Sequence, residues 1–384
     1  ISNATAVGVL KVGQTITFTL DVDIAETGLN VLPTTYNGGS LSWSTSDGGS
    51  TYTATYTVAN GQADQSVALQ LTGVKLTDGA GNISTSVNGT DVAKTIDATT
   101  PVINSLTSDA TAAGVLKVGQ TITFTVDVAT TESGLTVSPT TYNGGALSWS
   151  TSNGGNTYIA TYTVAEGQTD RSTPLQLTGV TLTDAAGNVS TSVNGTDVVK
   201  TIDANTPVIN SVTSNATDAG VLKIGQTITF IIDVASAEPG LIILPTTYNG
   251  GTLSWSTSNG GDTYIATYTI VNGQTDQPVA LQLTGVTLTD GAGNISSSVN
   301  GTDVTKTIDA NSPSVSGVVF NPNSGTVGIG GSITVTFSAT GLENNLTLNS
   351  FSLNGKAIGS ITNNSDGTYT YIYTDCSGLT NTWS

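Results

Sequence analysis

The chain has 384 residues, which predicts two to four domains at roughly 100–200 residues each. Nine basic residues stand against 27 acidic ones, so the formal net charge is −18, and only 9% of the residues are charged. The absence of His excludes a Ser-His-Asp triad and histidine metal ligands, and the single Cys excludes an internal disulfide or a thiolate zinc cluster. An acidic chain without a basic patch is also a poor nucleic-acid binder.

One sequence block recurs along the chain at 106-residue steps. The aromatic markers of the block are Tyr36, Tyr142 and Tyr248, and Trp43, Trp149 and Trp255. A repeat of this length is too long for a helical solenoid and suits an independent β-sandwich. Because a proline follows the end of each block, the predicted units are residues 1–100, 101–206 and 207–312, with a divergent, truncated fourth copy at 313–384.

The first unit begins later in the pattern than the next two. Residues Ile1–Thr5 align with Thr213–Thr217, so the counterpart of the opening segment Pro207–Val212 is missing. The chain also contains no Met. We therefore expect an excerpt of a longer or processed chain that begins and ends inside domains.

Apolar residues alternate with polar ones along the predicted strands. In chain order these are Thr15–Val22, Leu41–Ser44, Thr51–Val58, Val67–Leu71 and Val74–Leu76. A period of two places one face of each strand in a core and the other in water. About seven short strands per unit, separated by Asn-Gly and Gly-Gly turns, predict an all-β immunoglobulin-like sandwich. Short proline-containing linkers would arrange such tandem domains as an elongated rod.

Four segments of the first unit carry a family resemblance: Gly13-Gln-Thr-Ile-Thr-Phe18, Thr53-Ala-Thr-Tyr-Thr-Val58, Leu76-Thr-Asp-Gly-Ala-Gly-Asn82 and Ile96–Pro101. With these segments the units resemble the bacterial Ig-like tandem repeats of large prokaryotic surface proteins and adhesins. The resemblance implies a secreted, cell-surface location and a role as spacer copies behind a distal binding domain. In some such stalks, calcium at the domain junctions adds stiffness.

The expected function is therefore non-catalytic: an adhesin stalk or spacer that projects or links a surface structure in cell adhesion. One alternative is a self-assembling structural protein of an extracellular fibre, sheath or surface layer. Another is a carbohydrate-binding module of a secreted enzyme. The expected partners are an unknown surface ligand or glycan bound through flanking domains, or further copies of the chain, with no nucleic acid and no membrane insertion in this segment.

Calcium is the one cofactor that the sequence suggests. Carboxylates recur in a turn, at Asp78, Asp184 and Asp290, and at the end of each unit, at Asp97, Asp203 and Asp309. Ca²⁺ takes six to eight oxygen ligands, and each junction would bring one carboxylate of each kind together. The alternative is ordinary turn chemistry, since Asp opens turns and Gly accepts positive φ. The segment Asp78–Asn82 does not match the calcium-binding loop of EF-hands.

The repeated aromatic residues have two interpretations. Trp43, Trp149 and Trp255 alternate with Ser on the face of Leu41 and its counterparts, which favours a core position over a sugar-stacking platform. Tyr36, Tyr142 and Tyr248 lie in predicted turns and are better candidates for exposed, glycan-binding aromatics, although a lone turn tyrosine is usually structural.

Asn-x-Ser/Thr sequences make six repeat residues candidates for N-glycosylation: Asn82, Asn88, Asn188, Asn194, Asn294 and Asn300. A self-formed isopeptide bond between Lys11 and Asn88, near the two ends of the first unit, is a further option.

Overall fold

The computed structural model describes residues 8–109, 113–215, 220–302, 305–325, 327–340, 352–353, 356–357 and 361–374. Every regular element among these residues is a β-strand. This agrees with a sequence rich in Thr, Val, Ile and Tyr, which fit the pleated surface of a sheet. The chain divides into two compact units, Ile1–Asn205 and Thr206–Ser384.

The first compact unit contains two sequence repeats. The strands of the first repeat are β1 Gly8–Lys11, β2 Thr15–Asp21, β3 Asn30–Leu32, β4 Thr35–Tyr36, β5 Gly39–Ser40, β6 Thr51–Thr57, β7 Lys75–Thr77 and β8 Lys94–Asp97. The strands of the second repeat are β9 Ile103–Ser108, β10 Gly114–Lys117, β11 Thr121–Val128, β12 Thr136–Ser138, β13 Thr141–Tyr142, β14 Gly145–Ala146, β15 Thr157–Thr163, β16 Thr181–Thr183 and β17 Lys200–Asp203.

The second compact unit contains the third repeat and the divergent copy. The strands of the third repeat are β18 Ile209–Ser214, β19 Gly220–Lys223, β20 Thr227–Val234, β21 Ile242–Leu244, β22 Thr247–Tyr248, β23 Gly251–Thr252, β24 Thr263–Thr269, β25 Thr287–Thr289 and β26 Lys306–Asp309. The divergent copy contributes β27 Ser314–Asn321, β28 Ile333–Thr340, β29 Ser352–Leu353, β30 Lys356–Ala357, β31 Thr362–Asn363 and β32 Thr368–Tyr373.

Each of the three repeats is a β-sandwich, and the strand pairs described here for the first repeat recur in the other two. In the first, β2 pairs with β6 in antiparallel register, from Thr15 opposite Thr57 to Asp21 opposite Thr51. On the other side of the core, β3 pairs with β7, and β1 runs parallel to β8. The parallel pair was not predicted from the sequence. Because β1 lies near the beginning of the repeat and β8 near its end, this pairing closes the domain.

Each repeat has its own apolar core, formed by side chains from both groups of strands. In the first repeat, Ile16 and Tyr56 are completely buried and pack in one cluster with Leu10 and Ile96. The second and third repeats have separate clusters, built from residues 103–204 and 212–310. The alternation predicted for β2 is confirmed, since its Ile and Phe side chains point into the core and its Thr side chains do not.

The second and third repeats have an opening strand that the described part of the first repeat lacks. The opening strand β9 pairs with β11, and β18 pairs with β20, so each sheet has three strands, whereas β2 and β6 form a two-stranded sheet. A register shift between Asp127 and Val128 lets both Ile103 and Leu106 of β9 face the core.

Candidate functional site

The recurring turn carboxylate is held by the asparagine four residues later. Asp184 Oδ1 accepts a hydrogen bond from the backbone N–H of Asn188 at 2.8 Å, and Asp184 Oδ2 accepts one from Asn188 Nδ2 at 2.9 Å. The counterpart pairs, Asp78–Asn82 and Asp290–Asn294, make the same two bonds. In the first repeat the bonds from Asn82 hold the pKa of the Asp78 carboxyl below its usual value. Turn chemistry therefore accounts for this motif in all three repeats.

In the first compact unit, Asn188 also joins the first repeat to the second. Its Nδ2 donates to Asp97 Oδ1 at 3.1 Å and to Asp97 O at 3.3 Å. Its Oδ1 accepts a hydrogen bond from the backbone N–H of Val12 at 2.8 Å. Only 3% of Asn188 is exposed. Since an amide has two N–H donors and one oxygen, both kinds of group on this side chain are fully used.

A lysine of the first repeat reaches the same turn. Lys11 Nζ donates to the backbone carbonyl of Gly187 at 2.7 Å. Lys11 lies at the end of β1, where the parallel register places it beside Asp97. We define Lys11, Val12, Asp97, Asp184 and Asn188 as the junction network. The network joins the end of one domain to a turn of the next through side chains as well as through the linker.

Several carboxylates lie close enough at the junction to influence one another. Burial is the main cause that raises the pKa of Asp97, and the negative charges of Asp184 and Asp64 add to it. Burial likewise raises the pKa of Glu132, with smaller contributions from Asp184, Asp97 and Asp64. Asp64 is held by the linker, because its Oδ1 accepts a hydrogen bond from Ala98 N at 2.7 Å. The junction therefore disfavours additional negative charge.

The calcium site expected at the domain junctions stays a prediction. Among the described residues, no three acidic side chains are placed to hold a metal ion together. The structure does bring Asp97 and Asp184 together, but it links them through the N–H groups of Asn188. Ca²⁺ requires oxygen ligands at that position. Asp203 and Asp309 accept hydrogen bonds from the backbone N–H of Asn205 and Asn311, two residues later.

The prediction of exposed turn tyrosines is wrong for two of the three. Tyr142 is 6% exposed and Tyr248 is 9% exposed, while Tyr36 is half-buried. The Tyr142 ring packs edge-to-face against Phe124 and Tyr162, with ring centroids 5.1 Å and 5.2 Å away. Burial raises the pKa of Tyr248 to about 12. Such rings stabilise the core and are not available to stack on a sugar.

The repeated tryptophans lie at the margin of each core. Trp43, Trp149 and Trp255 are half-buried and pack against the core clusters. Each indole Nε1 donates to a proline carbonyl ten residues earlier, at 2.8–3.0 Å: Pro33, Pro139 and Pro245. The indoles therefore have defined structural contacts on both their apolar and polar sides.

The six glycosylation candidates separate into two groups. Asn188 and Asn294 are each 3% exposed, and their Nδ2 atoms donate to aspartates, so a glycan at either position is incompatible with this fold. The remaining candidates are exposed: Asn82, Asn88, Asn194 and Asn300. The residues of the suggested isopeptide bond, Lys11 and Asn88, bond to other groups, since Lys11 donates to Gly187 and Asn88 accepts from Gly73.

Sequence reasoning did not recognise Asn188, Lys11 or Glu132 as junction residues. The signal for Asn188 was present, because every repeat has an asparagine four residues after the turn aspartate. The partners of Asn188, however, are 91 and 176 residues away in the sequence. No local pattern identifies contacts over such separations.

The first repeat matches a known protein family. Residues 2–96 match the family model of the bacterial Ig-like domain. The first repeat thus matches the bacterial Ig-like domain over almost its whole length. The match covers the first repeat, and the second and third repeats share its sequence markers and its strands. The predicted fold class, tandem Ig-like β-sandwiches, is thereby confirmed.

Other comparisons add little to this family assignment. A mutated three-domain titin fragment, I67–I69, is 11% identical, with 79% of this chain and 96% of the fragment covered and a TM-score of 0.34. The titin I-band fragment I67–I69 is 10% identical, with 81% and 98% covered and a TM-score of 0.32. These similarities are too low to carry an argument. No curated protein matches the chain. Among the described residues, no helix has the length and apolarity needed to cross a membrane.

Proposed function

We propose that these bacterial Ig-like domains form a non-catalytic stalk or spacer in an extracellular surface protein, which projects or links a surface structure in cell adhesion. The observation that carries the proposal is the junction network, in which Asn188 of the second repeat bonds to Asp97 and Val12 of the first. A spacer must hold successive domains at a fixed separation. Directional hydrogen bonds between neighbouring domains serve that purpose better than a linker alone.

The chemistry of the repeats supports a structural role. The turn carboxylates are occupied by hydrogen bonds within their own turns, and the acidic residue Asp64 and its counterparts Asp170 and Asp276 each hold the N–H of a linker alanine at 2.7 Å. The hydrogen bonds of these carboxylates stabilise the fold and fix the ends of the domains. Ligand binding is accordingly proposed for flanking domains, and the extracellular location is proposed from the family.

Solution scattering and sedimentation velocity on residues 1–384 test the stalk proposal. We expect a monodisperse, elongated monomer whose scattering profile changes in Asn188→Ala, because the first two domains would lose their fixed orientation. The matched Asn82→Ala variant loses the same turn bond but none of the bonds of the junction network, so its profile should equal that of the wild type. Ordered polymers would instead favour the fibre or surface-layer alternative, and identical profiles for all three proteins would contradict the proposed role of the junction.

A further inference from the structure

Asn-Gly pairs recur in all three repeats, and their surroundings differ. In such a pair the backbone nitrogen of the glycine can attack the side-chain amide of the asparagine, because glycine has no side chain to hinder the approach. Five of these glycines donate their N–H to a backbone carbonyl at 2.8–2.9 Å, which holds the proton that must leave: Gly61, Gly89, Gly195, Gly273 and Gly301. In three further pairs the asparagine Nδ2 donates to a tyrosine hydroxyl and a backbone carbonyl: Asn37, Asn143 and Asn249. Two pairs of the described residues remain, Asn153-Gly154 and Asn259-Gly260.

The turn before β24 leaves the reacting atoms of Asn259 and Gly260 accessible. Asn259 Oδ1 accepts hydrogen bonds from the backbone N–H of Thr263 at 3.0 Å and from Thr257 Oγ1 at 2.9 Å. No described residue forms a hydrogen bond with Asn259 Nδ2 or with the N–H of Gly260. Both residues are exposed, and a Cβ atom built at Gly260 would meet nothing within 4 Å. The attacking and leaving nitrogens therefore face water, while the amide oxygen is held by two donors.

The counterparts of Asn259 in the other repeats differ at the leaving nitrogen or in the residue itself. Asn153 Oδ1 has the same two kinds of donor, but Asn153 Nδ2 donates to Thr157 Oγ1 at 3.1 Å. The first repeat has Asp47 at this position, which accepts from Thr45 Oγ1 at 2.9 Å and from Thr51 N at 3.0 Å. The bond from Thr51 N is the main cause that lowers the pKa of Asp47 to about 2. The turn thus accommodates an aspartate and favours its ionised form.

We propose that Asn259 is a self-modifying site, which deamidates to aspartate by reaction with the backbone of Gly260 and with water. Gly260 N forms a bond to Asn259 Cγ, its proton passes through water to Nδ2, and the bond between Cγ and Nδ2 breaks to release ammonia. Negative charge develops on Oδ1 during the attack, and the donors already placed there stabilise it. Water then opens the succinimide ring: addition at Cγ gives aspartate, and addition at the backbone carbonyl carbon gives isoaspartate.

The net reaction exchanges ammonia for water and adds one negative charge to the chain. With aspartate as the product, the third repeat acquires the same turn as the first, in which Asp47 already has both donors. Asn259→Asp should therefore melt close to the wild-type temperature. The inference concerns a chemical modification and does not depend on the stalk function.

Oxygen labelling of the whole 384-residue chain tests the proposal. The folded chain is incubated in mildly alkaline water enriched in ¹⁸O and then digested in ordinary water, so only deamidation of the folded protein carries the label. Trypsin cuts after Lys223 and Lys306, so one peptide contains both Asn259 and the internal control Asn300. Tandem mass spectrometry should show that Asn259 acquires label at least tenfold faster than Asn300 and faster than Asn153. In denaturant the three rates should become similar, because the hydrogen bonds that distinguish the sites are lost.

Two matched variants test the part played by the donors. Thr257→Val removes one donor to Asn259 Oδ1 and should slow labelling there at least threefold, without changing the rate at Asn153. Thr151→Val should slow labelling at Asn153 alone. Slow labelling of Asn300 in Thr257→Val shows that the third repeat is still folded. The proposal is overturned if Asn259 reacts no faster than Asn300 in the folded chain, if the difference persists in denaturant, or if Thr257→Val reacts at Asn259 as fast as the wild type or faster.

Discussion

At the residue scale, Asn188 is the side chain on which the first junction depends. Asn188→Ala removes the bonds to Asp97 and Val12 and leaves the buried Asp184 carboxylate with one partner fewer. Because an unsatisfied buried polar group costs about 1–3 kcal/mol, we expect a loss of roughly 2–3 kcal/mol in the free energy of unfolding. Differential scanning calorimetry of the whole chain measures this loss.

The first repeat supplies a matched control for this substitution. Asn82→Ala removes the equivalent side-chain bond to an aspartate, but Asp78 is only half-buried, Asn82 is exposed, and the bonds from Asn82 to Asp78 lie within the turn. We expect a loss of about 1 kcal/mol or less. Equal losses for the two variants would show that the contacts of Asn188 with the first repeat contribute nothing.

A second residue-scale prediction concerns pH. The folded state raises the pKa of Asp97 and Glu132, so folded chains bind protons more tightly at these sites than unfolded chains do. The contribution of the two groups to stability therefore increases as pH falls through their raised pKa values, and it is lost as pH rises. We expect hydrogen exchange in the turn Asp184–Asn188 to slow as pH is lowered from 7 toward their usual pKa range, after correction for intrinsic exchange.

Asp97→Asn isolates this effect, because it keeps an oxygen that can accept from Asn188 Nδ2 and removes the charge. The variant should be at least as stable as the wild type at pH 7 and should show a weaker pH dependence in the turn. Asp78 should show the opposite pH dependence. Because the folded state lowers its pKa, its contribution to stability is present near neutral pH and is lost as pH falls. A pH dependence unchanged by Asp97→Asn would contradict the proposed coupling.

At the element scale, the opening strand accounts for the difference between the first repeat and the other two. Leu106 of β9 is 5% exposed and lies opposite Val126 of β11. We expect Leu106→Ala to cost about 2–5 kcal/mol, the usual range for truncating a buried leucine, and to accelerate hydrogen exchange along β11. Val102→Ala, just before the same strand, is the control, because Val102 is 52% exposed. A comparable cost for both variants would rule out this role of Leu106.

The sequence predicted the faces of the strands better than their partners. Alternation along residues 15–22 correctly placed Ile16 and Phe18 in the core, because side-chain direction follows from the local pleat. The register shift at Asp127 breaks that period and brings Ile103 and Leu106 to one face, which no alternating pattern encodes. The parallel pair of β1 and β8 was missed for another reason: four-residue strands that pair across a whole domain carry little local signal.

The same contrast applies to the candidate site. The turn from Asp184 to Asn188 was predictable, because an aspartate with following glycine and asparagine is a local turn signal. The core position of Tyr142 was not, because its neighbours Phe124 and Tyr162 come from other strands, and a turn sequence alone suggested exposure. Chemistry that depends on nearby residues could be inferred from the sequence, and chemistry that depends on distant ones required the fold.

At the scale of the whole molecule, the parallel pairs determine how a tandem array of these domains responds to tension. In each of the three repeats the pair joins a strand near the beginning of the domain to the last strand: β1 with β8, β10 with β17, and β19 with β26. Since parallel strands run in the same direction, a force that pulls the two ends of a domain apart slides one strand along the other. All the hydrogen bonds of the pair are then loaded together.

Single-molecule pulling of the whole chain measures this resistance. We expect three similar unfolding events, each releasing at most about 350–380 Å of extended chain for a repeat of this length. Val115→Pro, in the middle of β10, should lower the force of one event, because proline cannot donate a hydrogen bond and disrupts strand pairing. Val115→Ala keeps the backbone donor and changes only a side chain that is 44% exposed, so it should leave all three forces unchanged. Equal forces in the two variants would place the resistance elsewhere in the sandwich, and the parallel pair would then have no special part in a stalk under load.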